Sequence, residues 1–204
     1  MPLQNRVDPF GQIIRTAERG TMMGNRGGAL HNEQREIVRQ YKSRRWIACV
    51  LEFKGRKRTV MAPNRYTELF FLDEAVALAS GHRPCAECRR KQFQEFRAAW
   101  SRQSGRLQGA DEMDRELHRA RVRKGAKVTY EAELDSLPNG SFVEMEGSAW
   151  LVWDDGLLLW TPGAYKARRP RLHGLNVTVL TPQPIVYCLA AGYVPEIHPS
   201  RYVL

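Results

Sequence analysis

The sequence predicts an α+β fold whose small β core consists of two related hairpin-strand-helix units joined by helices. Three observations predict it. Apolar residues recur at helical spacing from about residue 89 to 103. Aromatic and β-branched residues alternate between residues 142 and 160, as is typical of strands. A short motif of the first half recurs in the second half at an offset of 111 residues.

Composition limits the class of protein. The 204 residues are 43% hydrophobic and 26% charged, which is typical of a globular chain and excludes a disordered, collagen-like or coiled-coil protein. No apolar run approaches the length of a membrane helix, and the N-terminus lacks the apolar region of a signal peptide. Four cysteines are too few for a secreted disulfide framework. We therefore expect a monomer in the reducing cytoplasm, without membrane contact.

Three segments differ in character. Residues 1–31 form a Gly-rich, mostly irregular N-terminal arm, residues 32–124 a basic unit with connecting helices, and residues 125–204 a second, β-rich unit. This division predicts that the arm packs onto the core of the following unit.

The second segment opens with a predicted helix and hairpin. A helix over residues 32–43 follows from the helical spacing of its apolar residues behind a candidate Asn32 cap. Residues 44–53 read as a strand, which a basic turn connects to a returning strand over residues 58–63.

A strand and three helices follow along the chain. Residues 66–71 are predicted to form the third strand, and residues 73–80 a short helix that ends at Gly81. Further helices are predicted over residues 89–103 and 111–124.

The second half contains the repeat. Strands over residues 142–162 and 176–181 are followed by a helix over residues 184–192. Residues 78–84 align with residues 189–195, and each copy follows a hairpin, a loop, a strand and a helix in that order. This order indicates an internal duplication, with chance similarity of a short apolar string as the alternative.

Positive charge is concentrated in the first part of the chain. The net charge is +10, and residues 1–124 hold 26 of the 32 basic residues but only 14 of the 22 acidic ones. Arginine, which binds phosphate bidentately and stacks on bases, supplies most of the excess. This pattern favours a polyanionic partner such as nucleic acid.

The run ELFFLDEAVALASGHRPCAECR, from Glu68 to Arg89, resembles the end of the Ada-type metal-binding domain, the zinc module of bacterial alkyl-DNA repair proteins. With the preceding hairpin, the resemblance covers roughly residues 45–90. It implies a small zinc-supported β fold that binds DNA and follows backbone phosphates through basic residues. Two cysteines of that family are missing here, near Arg58 and Ala62, so the resemblance does not imply phosphotriester repair.

Zinc is the candidate cofactor. A Cys-x-x-Cys pair, Cys85 and Cys88, supplies two ligands of a tetrahedral ion, and Cys49 on the adjacent predicted strand offers a third. The sequence leaves open whether His82, His118 or His31 is the fourth ligand, and whether the pair only caps and packs.

A basic hairpin and the cysteine pair beside it form the predicted contact surface for double-stranded DNA. The residues expected to share this face are Arg44, Arg45, Lys54, Arg56, Lys57, Arg58, Arg65, Arg83, Arg89 and Arg90.

The N-terminal arm is the candidate active site. Its glycines allow the backbone to approach a ligand closely, and such a loop could form a pocket for a base swung out of the duplex. Asp8 and His31 are the candidate groups for activating water or stabilising a sugar cation, and Arg26 for holding the flanking phosphate. If Met1 is removed, the amine of Pro2 could form a Schiff base. Asp8 as a turn residue, and an arm that simply follows the duplex, are the alternatives.

Three functions remain open. The favoured one is an enzyme that processes damaged or modified DNA at a base or an abasic site. The others are a non-catalytic DNA-binding sensor or regulator and an RNA-binding protein. An enzyme requires Asp8, Arg26 and His31 to converge in a pocket, whereas a binding module leaves them spread over a basic surface.

Overall fold

Six strands from the first half of the chain form one mixed sheet. The computed structural model describes residues 1–57 and 59–203, and it confirms the α+β class. The strand order of this sheet is β2-β1-β5-β3-β4-β6. Its strands are β1 (Gln4–Val7), β2 (Ile13–Arg15), β3 (Met22–Asn25), β4 (Ile47–Val50), β5 (Leu69–Phe71) and β6 (Arg83–Pro84). The N-terminal arm therefore contributes three strands to the sheet itself.

Three helices and a short hairpin connect the two halves. Helix α1 (Glu74–Ala79) follows β5, and α2 (Arg90–Ser104) and α3 (Ala110–Arg121) follow β6. The amphipathic helix predicted from residue 89 is confirmed as α2, which ends at Gly105 in the left-handed conformation with φ 70°. The hairpin consists of β7 (Val122–Arg123) and β8 (Ala126–Lys127).

The β-rich second half forms an antiparallel sheet, as predicted. Its order is β13-β12-β11-β10-β14-β9. Helix α4 (Gln183–Ala190) follows its last strand, and short 3-10 turns cover Leu134–Ser136 and Pro199–Val203. The strands are β9 (Tyr130–Glu133), β10 (Phe142–Met145), β11 (Ser148–Trp153), β12 (Gly156–Trp160), β13 (Tyr165–Pro170) and β14 (Asn176–Val179). Among the described residues, no helix has both the length and the apolar character needed to cross a bilayer.

Helix α1 lies in the core that the two halves share. All six of its residues are buried, and its neighbours in the apolar cluster include Phe71 of the first sheet and Phe142 of the second. The Asp73 carboxylate caps the helix by accepting a hydrogen bond from the Val76 amide at 3.0 Å.

Carboxylates at the start of α1 bind groups from the end of the chain. The Tyr165 hydroxyl donates to Asp73 at 2.8 Å, and the Tyr193 hydroxyl donates to Glu74 at 2.5 Å. Because such buried carboxylates must be hydrogen-bonded, the second half completes the core of the first.

The two sheets share a strand order around their helices. The order β5-β3-β4 in the first sheet corresponds to β14-β10-β11 in the second, and both triplets are antiparallel throughout. In each half, the strand of the triplet that comes last in the chain, β5 or β14, leads to a helix. A glycine with positive φ follows that helix: Gly81 at 89° and Gly192 at 95°. The amides of His82 and Tyr193 then bond back to the helix at 2.9 and 3.0 Å. The repeat in the sequence thus corresponds to a shared arrangement, while its origin by duplication stays a prediction.

The predicted helix over residues 32–43 is wrong. Asn32 does accept a hydrogen bond from a backbone amide, but the donor is Glu36 and the bond closes a loop. Arg35 adopts φ 63°, and Ile37 pairs with His31 in an isolated β-bridge. Local side-chain bonding therefore replaces the helical ladder here.

The returning strand predicted over residues 58–63 is also wrong for its described residues, 59–63. Strand β4 pairs instead with β3 on one side and β6 on the other. Met61 adopts φ 52°, and its amide donates to the carboxylate of Glu68 at 2.8 Å. The basic segment before it is therefore a loop at the edge of the sheet rather than the tip of a hairpin.

Candidate functional site

Three cysteines meet at the edge of the first sheet. Strand β6 runs parallel to β4, and Ala48 is the register partner of Pro84. This pairing brings Cys49 next to Cys85, and the following turn returns Cys88 to the same place. The three sulfur atoms lie within 4.8 Å of one another, and all three residues are half-buried and reduced.

The cluster has the chemistry of a metal-binding knuckle. Hydrogen bonds from the other two thiols and from backbone amides lower the pKa of Cys85, whereas bonding to the two neighbouring thiols raises that of Cys49. The Glu87 amide donates to the Cys85 sulfur at 3.4 Å. Because thiolates and not thiols bind metal, Cys85 is the thiol that most readily becomes a ligand, and a cation such as zinc would displace the protons of Cys49 and Cys88, whose pKa is raised.

None of the three predicted histidines provides a fourth ligand in the described structure. The metal-ligand group there comprises the three cysteines alone. His82 is buried and bonds to Ser80 at 3.0 Å, His31 bonds to Thr67 at 2.6 Å, and His118 packs on Tyr41. A tetrahedral ion here would take its fourth ligand from solvent or from a bound partner.

The cysteine cluster yields a direct prediction. We expect purified protein to contain about one equivalent of zinc under reducing conditions, and Cys85→Ser to lower this by about tenfold or more, because a site of two thiolates lacks most of the required ligands. Elemental analysis measures both values. Cys188→Ala is the matched control, since Cys188 is buried in the core at α4. Zinc retained by Cys85→Ser, or absent from the unaltered protein, would contradict the assignment.

Two of the predicted DNA-contacting arginines are buried. Arg83 forms a bidentate ion pair with Asp114 at 2.8 and 2.9 Å, and Arg89 pairs with Glu74 at 2.5 and 2.9 Å. Their side chains are 4% and 1% exposed. Each guanidinium is already paired with a buried carboxylate, so neither residue lies on the predicted DNA-contacting face.

The other predicted contact residues are on the surface. Arg45 and Arg56 form exposed ion pairs with Asp111 and Glu87. Arg58 lies outside the described residues. The exposed members are Arg44, Arg45, Lys54, Arg56, Lys57, Arg65 and Arg90.

A second feature, which we call the cationic cavity, lies between the first sheet and the β7–β8 hairpin. Its volume is about 480 Å³, and its wall includes Phe10, Arg26, Tyr41, Trp46, Arg121 and Lys127. The guanidinium carbons of Arg26 and Arg121 lie 4.1 and 4.2 Å from the centroid of the Trp46 ring. The cavity thus joins aromatic surface to concentrated positive charge.

Arg26 is held by neutral groups. It donates to the carbonyl oxygens of Gly11 at 2.9 Å and Gln40 at 3.3 Å, and its Nε donates to Nε2 of His82 at 3.4 Å. Burial lowers the pKa of Arg26 to about 9 against the opposing field of Asp8. Burial also lowers the pKa of His82, which keeps this ring neutral and able to accept.

Arg121 is similarly placed. It donates to the carbonyl oxygens of Gly81 and Arg44, both at 2.6 Å, while its buried Nε has no hydrogen-bond partner in the described structure. Burial lowers its pKa to about 9. Nor does any ion pair within the described ranges join Arg26, Arg121 or Lys127 to a carboxylate. The charges of Asp8 and Asp114 act on these groups without an ion-pair contact, and such incompletely paired cations favour binding of an anion.

The structure brings together two of the three predicted catalytic residues. Asp8 is buried, its Oδ1 accepts the Gln12 amide at 2.8 Å, and its charge acts on Arg26 and on Lys127. Burial is the main cause that raises its pKa. His31 bonds to Thr67 and to the Ala62 carbonyl at 3.2 Å instead, and neither Asp8 nor His31 lines the cationic cavity, so the three residues do not converge in it.

Sequence reasoning missed Trp46, Arg121 and Lys127. Arg121 and Lys127 stand in a basic run, RVRKGAK, in which nothing distinguishes them from exposed neighbours. Arg121 is buried by its bonds to the Gly81 and Arg44 carbonyls, and Lys127 is half-buried, with its Nζ bonded to the Ala79 carbonyl. Pro2 lines a different cavity, together with Arg6 and Phe70.

No protein-family model, curated protein or solved structure matches this chain.

Proposed function

We propose that the protein is an enzyme that acts on damaged or modified double-stranded DNA in the bacterial cytoplasm and accepts an extruded nucleotide in the cationic cavity. The observation that carries this proposal is the pair of buried guanidinium groups, Arg26 and Arg121, that line the cavity without a carboxylate hydrogen-bond partner in the described structure. An anionic ligand would supply the missing counter-charge.

The size and wall of the cavity suit a nucleotide. A volume of about 480 Å³ falls within the range of small-molecule sites. Phe10 and Tyr41 offer ring surface for a base that has left its stack, and the buried guanidinium groups of Arg26 and Arg121 make the wall positive toward phosphate.

Exposed basic residues lie close in the chain to residues of the cavity wall, and we call this group the basic rim: Arg44, Arg45, Arg123 and Lys124. The carbonyl of Arg44 accepts a hydrogen bond from Arg121, and Lys124 lies in the turn of the β7–β8 hairpin whose strands line the cavity. Duplex phosphates held by the basic rim would therefore lie beside the cavity mouth.

The main test incubates the protein with duplexes that each carry one modified or abasic nucleotide. Products are resolved with and without hot alkali, which separates base release from strand cleavage. We expect one lesion class to be processed. Tight duplex binding without processing across the panel would favour the non-catalytic module, and preference for structured RNA would favour the RNA-binding alternative.

The basic rim and the basic loop that contains Arg56 and Lys57 can be tested separately for DNA contact. We expect Arg44→Glu/Lys124→Glu to weaken duplex binding about tenfold or more and to lower the slope of log K against log salt by about two, since each lost phosphate contact removes about 0.9. Arg56→Glu/Lys57→Glu tests the loop in the same way. Lys166→Glu, on the exposed side of β13, is the control. An unchanged salt slope removes the altered surface from the interface.

A further inference from the structure

Lys127 reaches the cationic cavity from the β7–β8 hairpin. Its Nζ donates to the carbonyl oxygen of Ala79, at the end of α1, at 2.7 Å. Its stem passes Gly11, where an added Cβ would lie 4.0 Å from Lys127 Cδ and 3.9 Å from a terminal nitrogen of Arg26. The hydrogen bond of Nζ to Ala79, together with the passage of the stem beside Gly11, therefore holds the amine in the wall of the cationic cavity.

The charges around this amine disfavour its protonation. Burial and the Arg26 guanidinium lower the pKa of Lys127 to about 7, and the Asp8 carboxylate partly opposes them. His82 is also kept neutral, and the charge of Lys127 contributes to lowering the pKa of His82. A substantial fraction of the amine is therefore unprotonated at neutral pH, as nucleophilic attack requires.

We propose that Lys127 is a covalent nucleophile that forms an imine with the aldehyde carbon C1′ of an abasic deoxyribose in DNA. This inference rests on the proposed function and names its substrate class and its reactive atom. The surrounding cations supply the phosphate contacts that bring the ring-opened sugar to the amine.

The covalent step needs no oxidant or metal. The Nζ lone pair forms the N–C1′ bond, and the aldehyde oxygen takes up a proton as the nitrogen loses one. The resulting hydroxyl accepts a further proton and leaves as water, so that an iminium remains.

Strand cleavage follows from the same intermediate. Loss of a proton from C2′ to a base breaks the bond to the 3′ oxygen, and the 3′ phosphate departs as an anion. Water then hydrolyses the iminium, which releases an unsaturated aldehyde and restores the amine. Solvent water carries these protons, because Asp8, although its field acts on Lys127, does not line the cavity.

The test uses the full-length protein and a duplex with a single abasic site. Borohydride added during the reaction reduces an imine to a stable amine, and peptide mass spectrometry then locates the DNA adduct. We expect the adduct on Lys127, and at least a hundredfold less of it with Lys127→Gln. The control is Lys166→Gln, because Lys166 has an exposed amine on β13, outside the cavity and the basic rim.

The outcomes separate the two proposals. Adduct on Lys127 that Lys127→Gln removes supports the inference. Processing of DNA with no adduct, or with the adduct on another lysine or on an N-terminal amine, overturns the role of Lys127 and leaves the proposed function standing. No binding and no processing of any duplex overturns both. Circular dichroism of Lys127→Gln confirms that the variant is folded.

Discussion

Replacing Arg89 with methionine should lower the free energy of unfolding by about 3–5 kcal/mol, because removing one partner of a buried ion pair leaves the other charge without compensation. Glu74, the partner, is 1% exposed. It would keep only the hydrogen bonds from the Tyr193 hydroxyl and the Glu196 amide. Urea denaturation measures the loss.

Arg90→Met is the matched control for this variant. Arg90 is the next residue of the chain and is exposed, so its replacement should change stability by no more than about 0.5 kcal/mol. The double variant Arg89→Met/Glu74→Gln should recover part of the loss, because the buried negative charge is removed. Equal effects of Arg89→Met and Arg90→Met would show that the buried pair contributes nothing specific.

The second large effect concerns pH. The pKa of Lys127 lies near 7 in the folded protein, and its ordinary value is near 10.5. Between these values the unfolded chain binds more protons than the folded one, so the free energy of unfolding should rise with pH from about 7 upward. One such group contributes at most about 1.4 kcal/mol per pH unit.

Denaturation curves between pH 7 and 9 test this effect. Lys127→Gln should flatten the pH dependence that the unaltered protein shows, whereas Lys124→Gln should leave it unchanged. The range stops at 9 because the pKa of Tyr165 and of Tyr193 is raised by burial. Their ionisation in the unfolded chain lowers stability near pH 10. An identical slope for Lys127→Gln would show that the amine is not desolvated.

Local patterns predicted part of this molecule. Helix α2 could be predicted because its buried residues recur at the helical period, and α1 because Asp73 and Gly81 mark its ends. The cysteine cluster could be predicted because the Cys-x-x-Cys spacing is local and Cys49 lies on a predicted strand. In each case the information is contained within a few residues.

The errors arise where distant contacts decide. Arg89 and Arg90 are adjacent and chemically identical, yet one is buried against Glu74 and the other is exposed. Likewise, the residues after Asn32 had the spacing of a helix, but the bridge between His31 and Ile37 fixes a loop. The cationic cavity depends on Arg26 and Lys127, which lie a hundred positions apart, and no local pattern joins them.

The burial of α1 also has a consequence for how the chain folds. The Asp73 carboxylate accepts hydrogen bonds from Tyr165 and from the His198 amide, 92 and 125 residues further along. During synthesis, the first sheet emerges from the ribosome long before these donors do. At that stage α1 lacks both the donors to Asp73 and the residues of the second half that bury it. Contacts of such sequence separation make folding slow, because a long loop must close before they form. The native core therefore forms only after residues 193–198 have been made, and a chain that stops before residue 193 would lack the Tyr193 hydroxyl and the Glu196 and His198 amides that bind Glu74 and Asp73.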